Sequence, residues 1–140
     1  MALKANELSV GDIHEETIVE NLTRTQIVQY AGASGDYNPV HTDEEFATKI
    51  AQYPSVFAHG MLTMGMTGKA VTNLVGDGRL TKFNVRFSKQ VWPGDTLGTK
   101  LTVNKIWVDA DQHFVELDVE TKNDKDEVVV IGSATARIDP

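Results

Sequence analysis

An α+β domain, in which an antiparallel sheet follows one long buried helix, is predicted by three features of the sequence. Residues 60–75 (GMLTMGMTGKAVTNLV) are apolar or small nearly all round and carry one charge, Lys69. A helix of that composition is buried rather than amphipathic. Beyond Gly76-Asp77-Gly78 the hydrophobic period becomes two, with Phe83, Val85 and Phe87 alternating with Lys82, Asn84, Arg86 and Ser88, the pattern of a half-buried strand. Three further runs, at about 96–108, 113–122 and 127–138, are separated by the polar turns Asp109-Ala110-Asp111 and Asn123 to Asp126, which reads as a meander. A chain of 140 residues holds a single core, so residues 1–140 are expected to form one domain.

The earlier elements follow from local chemistry. Residues 13–20 read as a short, half-exposed strand. Thr23 and Gln26 form a capping box, in which hydroxyl and amide satisfy each other's orphan backbone N–H groups. A helix over about 24–33 then buries Ile27, Val28 and Ala31 and ends at Gly35,. Thr42 and Glu45 repeat the capping pattern, so 43–50 is expected to be a second short helix. Gly65 and Gly68 in the long helix cost propensity but let backbone or ligand come close. Trp92-Pro93-Gly94-Asp95 turns the chain. One helix covers only one face of the sheet, so the remaining surface and edge call for a partner, most simply a second copy.

Composition narrows the function. Hydrophobic residues make up 41% and charged residues 24%, ordinary globular values. No run approaches the roughly 18 apolar residues of a membrane span, and the start of the chain lacks the apolar core of a secretory signal. The chain has no cysteine, which removes disulfides and thiolate zinc sites, and a cytoplasmic location is expected. A net charge of −7 opposes nucleic-acid binding, which needs basic patches. It leaves room for a small anionic ligand at a local basic patch, for which Lys82 and Arg86 are candidates.

Residues 30–47, YAGASGDYNPVHTDEEFA, carry the chemistry. Asp36, Asn38 and His41 fall within six positions across a turn imposed by Gly35 and Pro39. For Asp36 and Asn38 the competing reading is an Asx-turn, in which a short polar side chain bonds its own backbone. His41 alone could be a satisfied, partly buried histidine. Together, a carboxylate can orient an imidazole and both can hold one water, as general acid–base chemistry requires. Gly60, after His59, opens the long helix, where unpaired N–H groups and the helix dipole present positive charge. Such a donor stabilises a developing oxyanion by about 3 kcal/mol, although Gly60 could equally be a permissive helix start. The expected site has His41 facing Gly60 across a narrow cleft. Tyr30 and Phe57 could line a pocket or the core, and His14 and His113 are expected to be exposed. Residues 65–70 do not fit a phosphate-binding loop, because Thr63 and Ala70 stand where it needs glycine and a hydroxyl. No H-x-x-x-H or H-E-x-x-H spacing supports a metal.

With those residues assembled, the chain resembles the MaoC-like (R)-specific enoyl-thioester hydratases and dehydratases of the hot-dog fold. Within that family it is most similar to the catalytic subunits of mycobacterial-type (3R)-hydroxyacyl-ACP dehydratases. The resemblance runs through Tyr30 to Ala47, with Ser34-Gly35-Asp36-x-Asn38-Pro39-x-His41, then Ala58-His59-Gly60-Met61-Leu62-Thr63, then Val85-Arg86-Phe87 to Gly94-Asp95. Ala33 is a mild departure, where a larger aliphatic is usual. The resemblance implies a bent antiparallel sheet wrapped around the 60–75 helix. It implies catalysis by Asp36 and His41, orientation by Asn38 and Ser34, and carbonyl polarisation by the Gly60 N–H. Tyr30, Phe57, His59, Met61 and Gly68 would line the substrate pocket. No metal or redox cofactor is implied. The partners implied are an acyl-CoA or acyl-ACP thioester and a second hot-dog subunit, in a homodimer, higher homo-oligomer or heterodimer. Gly68 stands where some relatives carry serine, so a supporting hydrogen bond would come from Thr67 or Ser34, or the space would admit a longer acyl chain. A non-catalytic subunit of a heteromeric dehydratase and an acyl-CoA thioesterase are the alternatives.

Overall fold

A tight two-residue turn helps set the sheet. Ala110 and Asp111 both adopt positive φ (47° and 63°), the two-residue geometry that matches the twist of flanking strands, and Asp109 pairs directly with Gln112. In the computed structural model, which describes residues 3–140, the strands are β1 (Ile13–Val19), β2 (Leu80–Phe87), β3 (Leu97–Asp109), β4 (Gln112–Asn123) and β5 (Val128–Ile138). They form one antiparallel sheet in the order β1-β3-β4-β5-β2, leaving β1 and β2 as edges. A register shift between Val103 and Lys105 marks a bulge, which bends a strand and increases its twist. At Gly132 a Cβ would lie 2.0 Å from the Asn84 carbonyl oxygen and 2.7 Å from the Val85 Cα. β2 and β5 therefore approach closely there because position 132 has no side chain.

Helix α2 (Gly60–Val75) lies against this sheet. Val71 and Val75 are fully buried among Leu101, Val115, Leu117 and Ala134, each worth about 1.5–3 kcal/mol relative to exposure. The helix is not buried all round as its composition predicts. Met61, Gly65, Lys69 and Asn73 form an exposed stripe, since the sheet reaches only one side. Gly68 sits under Phe83, whose Cε1 would be 3.1 Å from an added Cβ, whereas Gly65 has nothing within 4 Å. Phe87, expected to face inward, is 48% exposed, with its ring lying on Gly60. Thr67, Thr99 and Thr121 form a buried hydroxyl chain between helix and sheet, with Oγ1–Oγ1 distances of 2.8 Å on both sides of Thr121. Each buried hydroxyl thereby has a partner.

Helix α1 (Arg24–Ser34) begins at the expected capping box. The Gln26 N–H donates to Thr23 Oγ1 at 3.0 Å and the Thr23 N–H to Gln26 Oε1 at 2.9 Å. Gly35, at φ 75°, ends it with its N–H on the Ala31 carbonyl, a left-handed cap suited to glycine. Ile27 and Ala31 are buried, but Val28 is 52% exposed, one residue off the packed face. The second short helix is present but wound differently. Residues Phe46–Ile50 form a π-turn, and the Phe46 N–H is accepted by Asp43 Oδ1 at 3.1 Å, not by the expected Thr42. The His14 side chain is 42% exposed, whereas His113 is half-buried rather than exposed.

A second core cluster joins the end of β1 to α1 and to the approach to α2, through Val19, Leu22, Ile27, Ala58, Val91, Leu97 and Val129. It fixes both segments that carry the motif residues against one end of the sheet. No helix among the described residues is long and apolar enough to cross a membrane.

Candidate active site

The turn after α1 is built from nested side-chain-to-backbone bonds. Ser34 Oγ accepts from the Asp36 N–H, Asp36 Oδ1 from the Asn38 N–H and Asn38 Oδ1 from the Val40 N–H, each at 3.2 Å. The His41 N–H then donates to the Asn38 carbonyl at 3.0 Å. Asp36 and Asn38 thus do make Asx-turns, and the same bonds aim the carboxylate and the imidazole. The Asn38 backbone bonds to both Asp36 and His41, while its side-chain oxygen is engaged with the Val40 N–H.

His41 is buried, and its Nδ1 lies 2.7 Å from the Phe57 carbonyl oxygen. A carbonyl only accepts, so Nδ1 carries the hydrogen and Nε2 keeps a lone pair. Burial holds the imidazole below the ordinary histidine range. The Phe57 carbonyl opposes this, His59 adds to it, and the Asp36 carboxylate opposes it. His41 is therefore an uncharged acceptor at neutral pH, as a general base must be.

His59 is 2% exposed and stacks on His41, with ring centroids 3.9 Å apart and planes 26° apart. Its Nε2 lies 3.0 Å from the Asp36 carbonyl oxygen, so that nitrogen donates. Tyr30 packs edge-on against it at 4.8 Å. One carboxylate oxygen of Asp36 and one ring nitrogen each of His41 and His59 lie within 4.8 Å of one another. That donor set does not fit a metal. Stacked rings direct their in-plane lone pairs side by side, whereas a cation needs both aimed at one point about 2.0–2.1 Å away.

Gly60 opens α2 directly after His59, with its N–H among the orphan donors of the helix start,. It lines a cavity of about 260 Å³ with apolar walls from Phe57, Ala58, Phe87, Val91 and Val130. His41 also borders a neighbouring space of about 310 Å³, with Arg24, Val28, Thr42, Glu44 and Val56, and His59, stacked on His41 and next to Gly60 in the chain, lies between the two. Asp36 is on the exposed side of the turn.

The remaining pocket candidates divide. Phe57 lines the Gly60 cavity and also packs edge-on against His41 at 5.1 Å. Tyr30 supports His59, Met61 is 57% exposed, and Gly68 is covered by Phe83 rather than open to an acyl chain. Thr67, a candidate support for Asp36, is bonded to Thr121 in the core instead; Ser34 does contact the Asp36 backbone. Lys82 and Arg86 are exposed on β2 and join no ion pair among the described residues. Sequence reasoning missed the histidine stack. The signal for it was an extra imidazole preceding the glycine at a helix start.

A family model described as "MaoC like domain" matches residues 9–129. Among curated proteins, "3-hydroxyacyl-thioester dehydratase Y" of Mycobacterium tuberculosis is 37% identical over 91 residues, 63% of this chain and 31% of that protein. "Enoyl-CoA hydratase 2, peroxisomal" of Arabidopsis thaliana is 33% identical over 110 residues, 76% of this chain and 34% of that protein. The chain thus spans about a third of the length of these relatives. Among solved structures, the unliganded R-hydratase PhaJ1 of Pseudomonas aeruginosa superposes with a TM-score of 0.84 at 29% identity, covering 96% of this chain and 84% of that one. The hot-dog arrangement of sheet and central helix is therefore shared along nearly the full length. On the match over 9–129, the chain belongs to the family of MaoC-like domains.

Proposed function

We propose that the chain is an (R)-specific hydratase/dehydratase that interconverts trans-2-enoyl thioesters and (3R)-hydroxyacyl thioesters. The observation that carries this reading is the convergence of the Asp36 carboxylate with an uncharged, acceptor-ready His41, beside a helix start that presents the Gly60 N–H. The relatives, a 3-hydroxyacyl-thioester dehydratase and an enoyl-CoA hydratase, support it.

In the hydration direction Asp36 and His41 hold one water. As its oxygen bonds to C3, its proton passes to His41 Nε2 and the electron pair of the C2–C3 double bond moves toward the thioester carbonyl. The Gly60 N–H and the α2 dipole stabilise the resulting enolate. The proton on His41, held near the Asp36 carboxylate, then returns to C2 on the same face. Dehydration runs through the same groups in reverse. Ser34 and the Asn38 backbone keep the carboxylate aimed.

The working unit in this proposal is a dimer of hot-dog domains, with a second hot-dog subunit as the variant arrangement. Asp36 is exposed in the single chain, and acid–base chemistry gains from exclusion of bulk water. The nearby exposed Tyr37, Met61 and Phe87 (68%, 57% and 48%) and the open edge of β2 offer the surface for such a partner. The carrier is CoA or ACP. The Gly60 cavity is below the roughly 300–1,000 Å³ typical of drug-sized sites, which favours short acyl chains as first probes. Loss of the conjugated-enoyl absorbance of trans-2-butenoyl-CoA on adding the protein tests the reading. Absence of activity on CoA and ACP thioesters of graded length would overturn it.

A further inference from the structure

We infer that His59 is the positioning residue of the site: its Nε2–H fixes the Asp36 backbone while its ring, stacked beneath His41, fixes the imidazole. This rests on the hydratase reading for what is positioned, but the geometry itself does not.

Asp36 and His41 stand on a turn that is largely exposed, and the nested bonds of that turn involve its own residues. Such bonds define local shape without tying the turn to the rest of the fold. The 3.3 Å bond from the Phe57 N–H to the Val40 carbonyl ties down the end of the turn, and two contacts do that job at Asp36 and His41 themselves. The first is the 2.7 Å bond from His41 Nδ1 to the Phe57 carbonyl. The second is the 3.0 Å bond from His59 Nε2 to the Asp36 carbonyl. Both acceptor and donor on the α2 side belong to the four-residue stretch Phe57–Gly60, which the second core cluster holds through Ala58. The stretch that delivers the Gly60 N–H is thus the same stretch that registers the acid–base pair.

The environment of His59 has the features of a fixed support. It is 2% exposed, lies between the His41 ring at 3.9 Å and the Tyr30 ring at 4.8 Å, and carries a buried Nδ1 without a hydrogen-bond partner among the described residues. A histidine kept only for packing could be replaced by phenylalanine, with no buried nitrogen left unsatisfied. Its retained polar edge is used on Asp36. The titratable groups facing His59 are Asp36 and His41 from the turn and Tyr30 from α1; Arg24 and Glu44 border His41 on its other side.

Two substitutions separate the contributions. His59→Phe keeps an aromatic ring for the stack and removes the Nε2 donor; His59→Gln keeps a donor and loses the ring. Displacing a catalytic group by about an ångström costs on the order of 100-fold in rate. His59→Phe is therefore expected to lower kcat by roughly that factor with KM little changed, and His59→Gln to recover part of the loss. A second readout does not need turnover. The Asn38 N–H donates to Asp36 Oδ1, so its hydrogen exchange reports how firmly the turn is held. In His59→Phe that amide exchanges several-fold faster than in wild type as the turn loses its anchor. A wild type without hydratase activity overturns the functional reading and leaves amide exchange to decide the role of His59. A folded His59→Phe protein with unchanged Asn38 amide exchange overturns the positioning role. So does a loss of kcat matched by an equal loss in melting temperature that His59→Gln does not relieve.

Discussion

Adding a single methyl group at three glycines is expected to move stability in opposite directions, by amounts that the structure ranks. At Gly132 the new Cβ would lie 2.0 Å from the Asn84 oxygen and 2.7 Å from the Val85 Cα, against ordinary contacts of 3.4–4 Å. Both blocking atoms are backbone of β2, so no side chain can swing aside, and the edge strand must part from β5. Over-packing relieved by side-chain shifts costs about 1–3 kcal/mol; a backbone clash places Gly132→Ala at or above the top of that range. At roughly 3–4 °C per kcal/mol for a chain of this size, the melting temperature falls by about 10 °C or more. Gly65, on the exposed stripe of α2, has nothing within 4 Å. Gly65→Ala there gains about 0.5–1 kcal/mol of helix propensity without a steric cost. At Gly68 the same gain meets the edge of Phe83 at 3.1 Å, so Gly68→Ala stays within about 0.5 kcal/mol of wild type. Thermal and urea unfolding followed by circular dichroism at one fixed protein concentration reads all three. A Gly132→Ala protein that melts with wild type, or a Gly65→Ala protein less stable than Gly68→Ala, would refute the reasoning.

Asp36→Asn and His41→Ala are each expected to lower the rate on an enoyl thioester by about 10²–10⁴-fold. The double variant should be little worse than the poorer single one, since the pair acts as a unit; steady-state kinetics checks both. The folded His41 binds its proton below the ordinary histidine value of about 6.5,, so on acidification through about that pH the unfolded chain takes up a proton that the folded chain refuses. Stability therefore falls as pH drops through this window and is unaffected above it. His41→Gln should flatten that part of the urea-midpoint profile between pH 5 and 8. Thr121→Val strands the buried hydroxyls of Thr67 and Thr99 and should cost about 1–3 kcal/mol in chemical denaturation. Replacing all three threonines by valine should restore most of it.

The parts of this fold that were legible in the sequence are those where one local rule acts alone. The Thr23–Gln26 box and Gly35 bound α1 within a residue because capping uses only neighbours in sequence. The period-two runs place β3, β4 and β5 within a residue or two because each is paired on both sides. Legibility failed where an element met something distant. Phe87 alternates correctly yet stays half-exposed, because it lies at the end of an edge strand over a glycine of α2. α2 looks buried by composition, yet Met61, Gly65, Lys69 and Asn73 face out because only one sheet covers it. For the site, Asp36, Asn38 and His41 could be read together because a single turn holds them. That His59, some twenty residues later, reaches back to Asp36 has no sequence periodicity to announce it.

Gly60 joins the fold and the chemistry in a way that neither explains alone. An alanine there would place its Cβ 3.2 Å from the Phe87 ring, so glycine lets that ring settle over the first turn of α2. The ring, with Phe57, Ala58, Val91 and Val130, gives the helix start an apolar wall on one side, while Ser88, Lys89 and Gln90 line the rest. Partial charges act more strongly beside such a wall than in water, so the N–H groups of the first turn can attract a developing oxyanion more effectively than a helix end open to water on every side. Gly60→Ala should therefore reduce activity by displacing Phe87 even though the backbone N–H remains. Phe87→Leu, which keeps an apolar cover of smaller size, should lose less than Phe87→Ser, which admits water. Equal rates for the Leu and Ser variants, with Gly60→Ala unimpaired, would show that the apolar cover contributes nothing and that the N–H acts alone.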